Sequence, residues 1–237
     1  TQGEVDSAVA AAVAAFPAWR DTPLPQRTQV MFRLKELLEA NLHELAVLTA
    51  TEMGKNYVEA RGDIIKVIEV VELACALPVT MQGDSLMNVS RGFDTVTYRE
   101  PLGVFVGIAP WNFPGMIPMG WMMPLAVTTG NTFVLKAASP VPQTSMRIAE
   151  LLAEAGLPPG VFNLVTCSLH EAEGLLNHPD VKGISFVGSK KVGWHVYRTA
   201  AAAGKRVQAL TEAKNHALVL RDAPIVASAQ RIINSAF

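Results

Sequence analysis

The sequence predicts an α/β protein built on a parallel sheet, and three observations carry that prediction. Beyond Pro101, short apolar runs recur near residues 103–108, 132–137, 161–166, 183–187 and 207–211. Segments of helical length lie between them, near 116–128, 143–155, 170–177 and 190–203. Two of the runs, GVFVGIAP and TFVLKA, are apolar without alternation, as strands covered on both faces are. Strands joined by crossovers of helical length pair in parallel through βαβ units, which makes a Rossmann-like sheet with flanking helices. Such sheets take ligands in the loops beyond the carboxyl ends of their strands, and the chemistry is sought there.

The elements before the sheet follow from local signals. Thr1 and Glu4 stand at capping-box spacing before a helix reaching about Phe16. Pro25 suits the first turn of a second helix, in which Val30, Leu34, Leu37 and Leu38 share one face. A third helix is predicted from about Tyr57 to Leu77. DTVTYREP, residues 94–101, alternates in strand fashion with charge at its ends, which predicts an exposed strand or hairpin outside the main sheet. From Pro101 to Leu135 no residue is charged, but five prolines and five glycines cut that stretch into pieces too short for a membrane span.

Composition narrows the function. Half of the 237 residues are apolar, enough for a large core. A net charge of -1 with scattered Lys and Arg excludes a basic face for nucleic acid or anionic membrane, so a small ligand is expected. Cys75 and Cys167 are too few for a disulfide framework, and TQGEVDSAVAAAV has no signal-peptide pattern, so a cytoplasmic protein is expected. His43, His170, His178, His195 and His216 show no metal-ligand spacing, and no metal is predicted.

Candidate site residues stand at the strand ends. In APWNFP, Asn112 lies between Trp111 and Phe113 with Pro110 and Pro114 stiffening the turn; its amide is either a fixed donor towards a developing oxyanion or a turn bond to its own backbone. In VLKAAS, Lys136 is either a phosphate or ribose ligand or a solvated lysine closing a strand, and Ser139 is the natural N-cap of the next helix. ISFVGSKKVG offers Gly188 for a tight turn and Ser189 as a cap, with freed N–H groups facing an anion such as a pyrophosphate. That segment is neither a P-loop nor a G-x-G-x-x-G. Cys167, in LVTCS, reads as a packed thiol, and Glu212, in LTEAK, as a strand-end carboxylate placed where a general base could be.

Taken in order, APWNFP, GNTFVLKAAS, AGLPPGVFNLV, ISFVGSKKVG and LTEAKNHALVL resemble the aldehyde dehydrogenase superfamily over essentially the whole chain. RVQALTEAKNHALVL and GNTFVLK are most similar to its CoA-acylating branch, which acts on malonate and methylmalonate semialdehydes. The resemblance implies NAD-dependent oxidation of a small semialdehyde through a cysteine thioester that passes to CoA. It matches Asn112 to the oxyanion-stabilising asparagine, Ala109 and Trp111 to the cofactor-site lining, Lys136 to the ribose-binding lysine, Ser189 to the serine facing the pyrophosphate, and Thr211 to a residue near the nicotinamide. It also implies a division into an N-terminal helical part packing on the cofactor domain (1–92), an oligomerisation strand (93–102) and a dinucleotide-binding α/β domain (103–237), with a homo-oligomer, dimer or tetramer, as the assembly.

Two departures follow from the same resemblance. Where an acid is usual three residues after the lysine, Ser139 stands, and a serine, unlike a carboxylate, does not repel a 2′-phosphate; NADP is therefore admitted beside NAD. The family's nucleophilic cysteine follows a few residues beyond the segment matching NSAF, so the sequence stops just short of it with most of the catalytic domain lacking, and neither Cys75 nor Cys167 matches that position. Counting back from Lys214 puts Leu210 where hydrolytic relatives carry their general base and Glu212 where a glycine is usual, which points to CoA as acyl acceptor and gives Glu212 a structural or surface role. The alternatives are a hydrolytic NAD(P)-dependent aldehyde dehydrogenase and a catalytically silent cofactor-binding module.

Overall fold

The computed structural model describes residues 1–236 except Lys214, so the register counted from that lysine lies outside the described residues. Helix α1 spans Gln2–Asp21, where the Thr1 hydroxyl donates to Glu4 Oε2 at 2.8 Å. It runs through Pro17, past the expected end at Phe16. The extra turn is held by Trp19, which is buried and donates Nε1–H to the Val127 carbonyl at 2.8 Å. Tertiary docking thus overrides the hydrogen bond that Pro17 forfeits.

Helices α2 (Leu24–Ala40), α3 (Leu42–Met53) and α4 (Tyr57–Cys75) follow, with a short turn of helix, α5, at Leu77–Thr80. The expected face of α2 is seen, with Val30, Leu34 and Leu38 buried. Helix α3 was not anticipated, because Asn41 separates it from α2 by a single residue and no turn cluster marks the break. Strands β1 (Ser85–Ser90) and β2 (Phe93–Val96) form an antiparallel hairpin exposed along its whole length and paired to no strand of the main sheet. The expected exposed strand is therefore the second arm of a hairpin whose turn lies at Arg91 and Gly92.

The main sheet comprises β3 (Val104–Ile108), β4 (Thr132–Lys136), β5 (Phe162–Val165), β6 (Val181–Val187) and β7 (Arg206–Leu210). Its order is β5-β4-β3-β6-β7 and every pair is parallel. Between β3 and β4 the expected single helix is split into a π-helical stretch, Met116–Met122, and α6, Met123–Thr128. Pro118 and Pro124 supply no N–H; Pro118 falls in the π-helical stretch and Pro124 in the first turn of α6, where an N–H would be unsatisfied anyway. Helices α7 (Gln143–Glu154), α8 (Leu169–Asn177) and α9 (Lys190–Ala202) link the later strands, and an unanticipated α10 spans Ile225–Ala236.

Period-two alternation divides the strands between two cores. Phe133 and Leu135 join α2, α4, the π-helix and α7 on one face, while Val104, Val106 and Val134 join α1, α8 and α9 on the other. The N-terminal helices therefore pack directly on the sheet. The start of α7 is held from far away: Glu52, in α3, accepts from the Gln143 and Thr144 N–H groups at 2.8 and 2.9 Å. A carboxylate over two orphan donors at a helix N-terminus is an effective cap, so Glu52→Ala is expected to cost ~1–2 kcal/mol, read as a lowered denaturant midpoint at unchanged slope. Among the described residues no helix is long and apolar enough to cross a membrane.

Candidate functional site

The strand order sets where a ligand can enter. From β3 the chain crosses to β4 on one side, whereas from β6 it crosses to β7 on the other. The carboxyl ends of β3 and β6 therefore part their connections and leave a crevice between them. A cleft of 470 Å³ lies there, a size suited to a small ligand or cofactor. It is lined by Ala109, Trp111, Lys136, Ser139, Gly188 and Ser189 among others, so six of the residues singled out from sequence meet at one place.

Each wall has a physical reason. The β3 exit is tied to β4 by the Ala109 N–H, which donates to the Lys136 carbonyl at 3.2 Å, while the Lys136 side chain faces the cleft. Further along the same loop, the Ser145 hydroxyl donates to the Pro114 carbonyl at 2.5 Å, and Gly115 sits so close to Thr144 and Ile64 that a Cβ there would lie 2.9 Å from Thr144 Cγ2. Asn112 and Trp111 project from this pinned loop and are exposed. Among the described residues no turn bond consumes the Asn112 side chain, so its amide is available to a ligand.

Ser139 does not cap the next helix. Helix α7 begins at Gln143 under the Glu52 cap, and the Ser139 hydroxyl instead donates to the Cys167 carbonyl at 3.4 Å. The chain bends at Gly188 between β6 and α9, with a φ that is not positive. A Cβ there would lie 2.6 Å from the Phe186 ring, and one on Gly193 would meet the same ring at 3.1 Å. The two glycines let the Phe186 ring lie beneath the start of α9, where the Gly188 N–H donates to the Leu210 carbonyl at 3.1 Å.

Ser189 is the N-cap residue of α9, yet its hydroxyl makes no capping bond. The N–H groups of Lys190, Lys191 and Val192 find no acceptor among the described residues. The first turn holds no acid and instead carries Lys190 and Lys191. Cations at a helix N-terminus oppose the macrodipole, by about 0.3–1 kcal/mol each, unless an anion joins them. Sequence reasoning passed over this lysine pair, although basic residues directly after a capping serine are a readable signal. The arrangement favours a bound anion.

Two neighbouring recesses extend the site. A 300 Å³ slot between α8 and α9 shares Ile108, Leu169 and Val192 with the cleft and is walled by Ala172, Leu176 and Val196. On its rim His195 Nε2 and Glu173 Oε2 are 2.8 Å apart. Thr211 does not line the cleft; it borders a 320 Å³ recess with Lys190, Gly193 and Trp194, on the side of α9 that faces β7. Leu210 and Glu212 are both exposed at the end of β7.

Cys167 lines the cleft but is buried, and burial pushes its thiol above the ordinary value while the Lys136 charge opposes the shift. Cys75 is raised too, chiefly by burial, and its Sγ donates to the Val71 carbonyl at 3.3 Å. Both are packed thiols held protonated. Among the described residues no group of three or more His, Cys, Asp or Glu is placed to hold a metal.

The model of the aldehyde dehydrogenase family matches residues 1–237. Malonate-semialdehyde dehydrogenase 1 of Geobacillus thermodenitrificans is 51% identical over 237 residues, covering 100% of this chain and 49% of its own length. The crystal structure of methylmalonate-semialdehyde dehydrogenase from Oceanimonas doudoroffii superposes with a TM-score of 0.96 at 44% identity, over 100% of this chain and 48% of that one. The crystal structure of a Sinorhizobium meliloti 1021 protein described as a putative methylmalonate-semialdehyde dehydrogenase, complexed with NAD, superposes with a TM-score of 0.95 at 38% identity, over 99% of this chain and 48% of that one. The chain spans about half the length of the curated relatives it matches.

Proposed function

Because this chain belongs to the aldehyde dehydrogenase family, we propose that it is the dinucleotide-binding part of an enzyme that oxidises malonate or methylmalonate semialdehyde and passes the acyl group to CoA. The observation that carries the reading is the start of α9, with uncapped N–H groups and two lysines beside the crevice between β3 and β6. A pyrophosphate fits that place by charge and by hydrogen bonding. Lys136 and Ser139, which line the cleft, would hold the adenosine ribose, the apolar slot between α8 and α9 would take a flat base, and Thr211, at the neighbouring recess, would stand towards the nicotinamide end.

In the whole protein a cysteine thiolate adds to the aldehyde carbon, and the oxygen takes up negative charge. The Asn112 amide donates to that oxygen, and its worth lies in being positioned before the charge appears. Bound dinucleotide supplies the acceptor for the hydride that leaves the carbon. The thioester then passes to the CoA thiol. Neither Cys75 nor Cys167 suits the attacking role, since both are buried and their thiols are raised. Leu210 in the position of a general base fits a thiol acceptor, because a thiol with a pKa of about 8.5 needs less help than water to attack. The exposed apolar hairpin, with Leu86, Met87, Phe93 and Val96 open to solvent, suits pairing with a second copy in a homo-oligomer.

Product analysis of the whole protein tests the reading. With malonate semialdehyde, NAD and CoA, acyl-CoA should form at a rate that depends on CoA. Free acid formed at a rate indifferent to CoA would instead assign a hydrolytic enzyme. Titration with NAD and NADP belongs to the same experiment, because Ser139 at the ribose carries no carboxylate to exclude the 2′-phosphate. NAD should bind with measurable affinity, and NADP should not be rejected outright.

A further inference from the structure

Asn112 is exposed and its side chain makes no hydrogen bond among the described residues, so where its amide stands depends on the loop backbone that carries it. The residue after it, Phe113, is half-buried and has a cationic cover. Lys55 Nζ lies 4.3 Å from the centroid of the Phe113 ring. The same ammonium donates to Asp63 Oδ2 at 2.7 Å, and the side chains of the pair are only 14% and 12% exposed. Lys55 follows the left-handed Gly54 at the end of α3, and Asp63 stands in the second turn of α4. The N-terminal helices thus reach under the β3 exit loop and grip it at the position adjoining Asn112.

A largely desolvated ion pair is weak evidence for stability, because apolar packing of the same volume serves as well or better. It does fix geometry, since the ammonium is held by one carboxylate and one ring face in a direction that neither supplies alone. We propose that Lys55 and Asp63 are positioning residues, which act through the Phe113 ring to aim the Asn112 amide at the reacting oxygen. The inference rests on the reading of Asn112 as oxyanion donor.

The test uses the longest natural chain carrying this sequence, assayed with semialdehyde and dinucleotide. Lys55→Met keeps the aliphatic stem and removes the charge; Lys55→Arg keeps the charge. Lys55→Met should lower kcat about tenfold and leave the dinucleotide KM within about twofold, while Lys55→Arg recovers most of the loss. In an Asn112→Ala background, Lys55→Met should cost nothing further in kcat, because the group it aims is gone. Unchanged kcat in Lys55→Met, or the same loss with Asn112 already removed, overturns the proposal while leaving the oxyanion reading intact. Full kcat in Asn112→Ala alone removes that reading and the proposal with it. Should Lys55→Met not fold, Phe113→Leu decides the matter: it removes the ring beneath an intact ion pair, and an Asn112-dependent loss of kcat supports the proposal where an unchanged kcat defeats it.

Discussion

Replacing Asn112 by alanine in the whole protein is expected to lower kcat by ~10²–10³-fold with little change in dinucleotide affinity. The size follows from placement. The amide stands on a loop pinned by the Ser145 bond to Pro114 and by the close packing of Gly115, so little reorganisation is needed when the oxyanion forms. No bond among the described residues competes for the donor, so none of these has to break first. Asn112→Asp keeps the shape and replaces a donor by a charge of the wrong sign, and it should be at least as damaging. Steady-state kinetics on both variants check this. A raised dinucleotide KM at unchanged kcat would place Asn112 on the cofactor and end the oxyanion assignment.

The largest loss of stability is expected at Gly160. Its φ of +83° is a left-handed conformation, and a Cβ there would lie 2.8 Å from the Ala11 carbonyl oxygen and 3.0 Å from Ala15 Cβ. Helix α1 crosses the sheet at this turn, and a backbone carbonyl cannot swing aside as a side chain can. Gly160→Val therefore meets both backbone strain and a collision, for about 3–5 kcal/mol together. Gly204 provides the control: its φ is +73° with nothing within 4 Å, so Gly204→Val meets strain alone, about 1–3 kcal/mol. Denaturant unfolding of the two variants separates the terms. Equal losses would mean that α1 shifts freely, contrary to the packing of Val5, Val9 and Ala12 in the core.

The main sheet was legible because β3 and β4, largely covered on both faces, are short apolar runs bounded by turn residues, while the outer strand β7 alternates with a period of two. Its bounds agree with the sequence reading to within one or two residues for β3, β4, β5 and β7, and β6 begins two residues early, at Val181. What went unread were elements whose signals are weak or distant. Helix α3 begins one residue after α2 ends, and α10 lies beyond the motif-bearing strands. Helix α1 continues past Pro17 because Trp19 docks on Val127, a partner 108 residues away.

The site divides in the same way. By itself the sequence determined which residues stand at the strand ends, because strand ends follow from local apolar runs, and so it named Ala109, Trp111, Lys136, Ser139, Gly188 and Ser189. Motif order further determined the family. Only the tertiary structure decided that β3 and β6 are neighbours, and it is this adjacency that turns separate loops into one cleft. It also decided that Glu52 rather than Ser139 caps α7, that the bend at Gly188 leaves room for the Phe186 ring, and that Lys55 lies over Phe113. The physical reason is common to all of these. Hydrogen bonds, ring contacts and ion pairs between residues far apart in the chain depend on which elements pack together, and packing is a property of the whole core rather than of any local run.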